Sequence, residues 1–136
     1  METKFNKQET IKLIEEYYEK LEGRKVKATI EAKAGTFGLY ETKGCQTTIT
    51  IAETMEIAGM NKEVKYDLTK EELTKNLRAL FALYEFDVKG IDLDDGISSS
   101  CEGYGWMEYT VSKAYFNGIT VNLEKDKGVK LGKKVG

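Results

Sequence analysis

Phe5-Asn6-Lys7-Gln8-Glu9 and Leu68-Thr69-Lys70-Glu71-Glu72 carry the same signal twice. In each, an apolar residue precedes a short polar side chain, Asn6 or Thr69, and a glutamate stands three residues later. That is the spacing at which cap and glutamate exchange hydrogen bonds with each other's backbone N–H at a helix start. From these two starts the chain reads as two copies of an α-β-β-β unit, residues 5–67 and 68–124.

Working outward from the first start, Ile11, Ile14, Tyr18 and Leu21 fall on one face of a helix over residues 5–22, and Gly23 ends it. Residues 24–33 alternate Val26, Ala28, Ile30 and Ala32 with polar residues, the pattern of a strand with one wet face. A loop is expected over 35–46. A second strand follows over 47–57, where Glu53 interrupts the apolar phase of Ile49, Ile51, Met55 and Ile57 and marks a bulge or the end of burial. Gly59 and Asn61 turn the chain into a short strand with Val64 and Tyr66.

The second half repeats the order. Leu73, Leu77, Leu80, Phe81 and Tyr84 form an apolar helical stripe. In the strand over 86–94 the apolar phase switches at Gly90, which predicts a bulge. A Gly- and Ser-rich loop, 95–105, leads to strands at 106–116 and 119–124, joined by Asn117-Gly118 as a tight hairpin turn. Loop residues match between halves as well: Ile30-Glu31 with Ile91-Asp92, Gly35 with Gly96, Glu41 with Glu102 and Gly44 with Gly105. The expected class is α+β, with antiparallel-rich sheet or sheets, one or two, and two helices around a shared core. Neither half could bury its sheet face alone.

Composition bounds the rest. The 136 residues fit one domain, taken as 1–124, followed by a basic tail, 125–136, expected to be flexible. The tail carries five lysines against Asp126, so a net charge of −2 leaves −6 on the body. An acidic body does not suit sequence-independent nucleic-acid binding, which is expected only weakly, through the tail. No secretory signal or membrane span is legible, so a cytoplasmic protein with two reduced thiols, Cys45 and Cys101, is expected.

The chain has no histidine, which removes the commonest general base near neutral pH and the commonest metal ligand. There is no phosphate-binding glycine fingerprint. Glu102 beside Cys101 would oppose thiolate formation. Asp92-x-Asp94-Asp95-Gly96 lacks the later glutamate of a calcium loop and reads as a solvated strand end. The glutamates at 15, 16, 19 and 22 read as the wet face of the first helix. No cofactor, metal or catalytic residue is expected.

The positive signal lies in the two repeat-related loops. Phe37, Tyr40 and Glu41 in one, and Glu102, Tyr104 and Trp106 in the other, are the candidate binding residues, since exposed aromatics dominate binding hot spots. If the halves are related by a pseudo-two-fold axis, both loops flank one groove.

The segments Gly38-Leu39-Tyr40-Glu41-Thr42-Lys43-Gly44-Cys45, Ser100-Cys101-Glu102-Gly103-Tyr104-Gly105 and Ala114-Tyr115-Phe116-Asn117-Gly118-Ile119 resemble small proteins carried by phages and integrative elements of Gram-positive bacteria. That resemblance implies an anti-defence inhibitor of the anti-CRISPR kind, acting by binding a host protein. The leading expectation is therefore a non-catalytic protein-binding module. A second class is a small-molecule-binding or enzymatic domain with Glu41 and Glu102 as paired carboxylates between the loops. A third is an acidic secretion-type chaperone, which would act as a homodimer.

Overall fold

Both helix starts form as their sequences require. In this computed structural model the Asn6 side chain accepts from the Glu9 N–H at 2.8 Å while the Glu9 carboxylate accepts from the Asn6 N–H at 2.9 Å. Thr69 and Glu72 make the same reciprocal pair at 3.1 and 3.0 Å. Helix α1 (Lys7–Glu22) stops at Gly23, which takes φ = 65°, a conformation that costs glycine little. Helix α2 (Lys70–Ala82) buries Leu73, Leu77, Leu80 and Phe81, whereas Tyr84 lies beyond it and is half exposed. The structure describes residues 1–37, 42–103, 105–107 and 109–125, with side chains for all of these except 35–37, 42–43, 99–102, 107 and 109–112.

Six strands complete the described fold: β1 (Glu2–Asn6), β2 (Lys27–Phe37), β3 (Thr42–Ile57), β4 (Met60–Leu68), β5 (Phe86–Glu102) and β6 (Tyr109–Lys125). They form two antiparallel three-stranded sheets, β1-β6-β5 and β2-β3-β4. The class is α+β. Both sheets and both helices contribute to one buried core, in which Ile14, Ile51, Leu73, Leu77, Leu80 and Val121 are essentially solvent-free.

Several boundaries move. Residues 5 and 6, expected at the start of the first helix, belong with residues 2–4 to strand β1, which pairs Phe5 with Ile119 and Glu2 with Asn122. The expected loops 35–46 and 95–105 shrink, because pairing continues to Phe37↔Thr42 in one hairpin and Glu102↔Tyr109 in the other. Glycine and serine weaken strand propensity, but a ladder already in register carries such residues along. Glu53 makes no bulge: its pairing with Val64 is regular, and burial ends just past it, with Met55 and Ile57 exposed.

The Asn117-Gly118 turn is overturned. Residues 109–125 are one strand, and Asn117 is the extra residue of a bulge between Asp94↔Gly118 and Asp95↔Phe116. Gly118 has φ = 147°, and a Cβ there would overlap the Phe5 carbonyl oxygen. The glycine serves the close approach of β1 rather than a hairpin. The bulge expected at Gly90 is present, with Lys89 as the extra residue between Val88↔Leu123 and Gly90↔Asn122.

The repeat is visible in the ladders. Ile30, Ile49 and Leu68 lie across one sheet as a row, and Leu93, Ile119 and Phe5 lie across the other. The first half runs α1-β2-β3-β4. In the second, α2-β5-β6 receives its third strand from the N-terminus, so β1 stands to β6 as β4 stands to β3. Phe5 and Leu68, Asn6 and Thr69, Glu9 and Glu72, and Ile30 and Leu93 are all 63 positions apart. Ile30 therefore corresponds to Leu93 rather than Ile91. A two-residue slip keeps every side chain on its own face, so alternation alone does not distinguish the two registers.

Candidate binding site

Strands β5 and β6 are each 17 residues long, but β1 covers only residues 118–122 of β6 in their own sheet. From Asp95↔Phe116 to Glu102↔Tyr109 the sheet has two strands, a hairpin arm reaching roughly 25 Å at about 3.3 Å per residue. Its end is turned by Gly103 at φ = 97° and Gly105 at φ = 54°, which opens a single 3-10 turn, Gly105–Met107. Trp106 sits on that turn with 92% of its surface in solvent. The strand expected from residue 106 begins instead at Tyr109, and the indole does not pack inward. The exposure is unusual because a large indole left in water forgoes roughly 2–3 kcal/mol of burial.

The β2–β3 hairpin is tied to the base of this arm. The Thr47 hydroxyl donates to the Asp95 carboxylate, and the Cys45 sulfur lies 3.7 Å from the Tyr115 carbonyl oxygen. The Tyr115 ring covers Gly96 so closely that an added Cβ would come within 2.7 Å of its hydroxyl. Two repeat-related hairpins thus leave the body from a common base. Of the six candidate residues, Trp106 alone has a described side chain. Phe37 and Glu102 end β2 and β5 with their backbones paired, but their side chains, like all of Tyr40, Glu41 and Tyr104, lie outside the described residues. So do the groove between the loops, the Glu41/Glu102 pair, the Cys101 thiol and residues 126–136.

A second constellation was missed in the sequence. Glu53 is 7% exposed and accepts from Arg24 at 2.7 Å and from the Tyr66 hydroxyl at 3.0 Å. Arg24 also reaches Glu22 at 2.6 Å and lies 5.2 Å from the centre of the Tyr18 ring. Tyr17 donates to Glu22 at 2.8 Å. Burial, reinforced by these hydrogen bonds to carboxylates, pushes the Tyr17 phenol up to about 12 and the Tyr66 phenol higher still. Hydrogen bonding to Glu22 holds the guanidinium of Arg24 protonated, and the Tyr17 hydrogen bond pulls the Glu22 carboxyl down. The signal for this group was Glu53 in an apolar phase: a buried carboxylate requires a cation or donors nearby.

Beside it lies an open depression of ≈ 330 Å³ between the end of α1, the face of α2 and β4. Tyr18, Arg24, Tyr66, Leu68, Lys75 and Asn76 are among its lining residues. Among the described residues no three potential metal ligands converge, and no helix is long and apolar enough to cross a membrane.

The fold and these surfaces define an α+β protein with two antiparallel sheets and an aromatic-tipped hairpin arm. No family model matches the chain, and searches of curated proteins and of solved structures likewise found no match.

Proposed function

We propose that the protein is a non-catalytic protein-binding module, an inhibitor or regulator that docks on its partner through the end of the β5–β6 arm. The observation that carries this reading is Trp106, 92% exposed on a glycine-bounded 3-10 turn at the end of a long hairpin. Tryptophan contributes large area at low conformational cost and is among the residues most enriched at binding hot spots. A convex tip of this kind suits a concave surface better than a flat one.

The test is an affinity pull-down from lysate of the native host, with wild type beside Trp106→Ala and a Tyr40→Ala/Trp106→Ala double variant. A stoichiometric protein retained by wild type and lost with Trp106→Ala supports the reading. A partner retained equally by all three baits would move the interface elsewhere. Retention of no protein by wild type would overturn the binding role.

A further inference from the structure

The 63-residue relation between the halves gives the depression beside α2 an internal control. Its lining residues Tyr18, Leu68 and Asn76 correspond to Phe81, Phe5 and Leu13 in the other half. There these positions carry apolar side chains in contact: the rings of Phe5 and Phe81 lie 5.8 Å apart, and Leu13 packs on the core. Here Leu68 replaces a phenyl ring and Asn76 replaces a leucine, so an opening of ≈ 330 Å³ remains. One copy of the repeat places a phenyl ring and a leucine at these positions, and the other a leucine and an asparagine.

Asn76 is the residue that makes the opening more than a packing gap. It is only 9% exposed, yet its carboxamide hydrogen-bonds to no described residue and lines the depression. Among the described residues no buried side-chain polar atom lacks a partner, so this amide opens onto the solvent of the depression, where a ligand can reach it. Asparagine is also a poorer helix former than leucine. That cost in propensity falls at a position where the other half carries Leu13. Glu22 and Glu53 are already engaged by Arg24, Tyr17 and Tyr66, so among the described residues Asn76 and the exposed Lys75 beside it on α2 are the polar groups of the lining without a side-chain partner.

We propose that this depression is a second binding site, distinct from the Trp106 tip, that takes the neutral amide of a peptide, either backbone or a Gln or Asn side chain. A carboxamide offers two N–H donors and one carbonyl acceptor, the complement of another amide. The phenol-rich wall, Tyr17 and Tyr18 packed edge to face with centroids 5.1 Å apart, suits the apolar part of such a segment. Three acids, Glu22, Glu53 and Glu72, against Arg24 and Lys75 leave the surroundings slightly negative, which disfavours a phosphorylated ligand.

The experiment is a titration of isotopically labelled full-length protein with N-acetyl-glutamine methylamide, following the side-chain amide resonances of Asn76. N-acetyl-norleucine methylamide keeps the backbone amides but lacks the side-chain carboxamide, so equal shifts with both ligands assign the site to backbone amide and shifts with the glutamine ligand alone assign it to the side chain. Asn76→Leu and Asn76→Asp are the variants. Saturable shifts centred on Asn76 and Tyr18, lost in Asn76→Leu and at least threefold weaker in Asn76→Asp, support the site. Asn76→Leu should also melt at a higher temperature than wild type, because leucine is the better helix former and the apolar residue that the other half carries at this position. Overturning results are no shift in wild type, shifts unchanged in Asn76→Leu, or an Asn76→Leu protein that melts lower, which would make Asn76 a structural residue. None of these outcomes depends on Trp106.

Discussion

The guanidinium of Arg24 stands 2.7 Å from the carboxylate of Glu53, whose side chain is 6% exposed. The pair sits where the core face of β3 runs out: Ile51 just before it is buried and Met55 just after it is exposed. It closes one end of the core with charge rather than with apolar surface. Removing one partner leaves the other charge stranded, whereas replacing both by apolar residues does not. Arg24→Ala should therefore lose about 2–3 kcal/mol of stability, the guanidinium being partly solvated. Arg24→Met/Glu53→Leu should recover most of that loss in a urea titration. A double variant no more stable than Arg24→Ala would show that the ion pair itself, not the stranded carboxylate, sets the cost.

Gly118 should not tolerate alanine. Its backbone at φ = 147° and the Phe5 carbonyl oxygen both oppose a Cβ. Gly118→Ala is expected to cost about 3 kcal/mol or more and to detach β1 first. Amide exchange should then quicken at residues 2–6 before it quickens in α2. Uniform acceleration throughout the chain would mean that β1 is not a separable element.

Stability should fall between roughly pH 10 and 12. Tyr17 and Tyr66 keep their protons longer in the folded chain than in the unfolded one, chiefly through burial and then through hydrogen bonds to Glu22 and Glu53. Below tyrosine's ordinary pKa of about 10 their contribution is complete, and it is lost as pH rises through the folded values, because the unfolded state then holds fewer protons. Tyr17→Phe/Tyr66→Phe should be less stable at neutral pH yet show a shallower alkaline decline. Thermal melts at a series of alkaline pH values would measure both.

Trp106→Ala should leave stability within about 0.5 kcal/mol of wild type, since the indole is in water. Trp106 is also the protein's only tryptophan, so its emission should match that of the free amino acid in water and shift to the blue when a partner covers it. A loss of stability beyond that range would place the indole against the body.

Much of the architecture was legible because it rests on local rules. The capping boxes at Asn6/Glu9 and Thr69/Glu72, the stop at Gly23, the apolar stripe of α2 and the bulge near Gly90 each follow from residues a few positions apart. Strand β1 was not legible, since five residues signal a strand only when β6 lies beside them. Asn117-Gly118 misled for the same reason. The dipeptide carries a local turn preference, and the extended ladder on both sides of it overrode that preference.

The candidate site divides in the same way. Trp106 stood out in the sequence as the only tryptophan in a glycine-rich stretch, but its exposure was decided by the arm that carries it away from the core. Arg24, Glu53 and Tyr66 come from a helix-strand connection and two paired strands, and no spacing in the chain joins them. Asn76 is one polar residue on an amphipathic helix, and only its place beside the depression and opposite Leu13 of the other half sets it apart. The sequence by itself determined two capped helices, alternating strands and a repeated order, because those depend on neighbours in the chain. That a depression opens beside Asn76 only the tertiary structure decided, because it depends on volumes brought together from α1, α2 and β4.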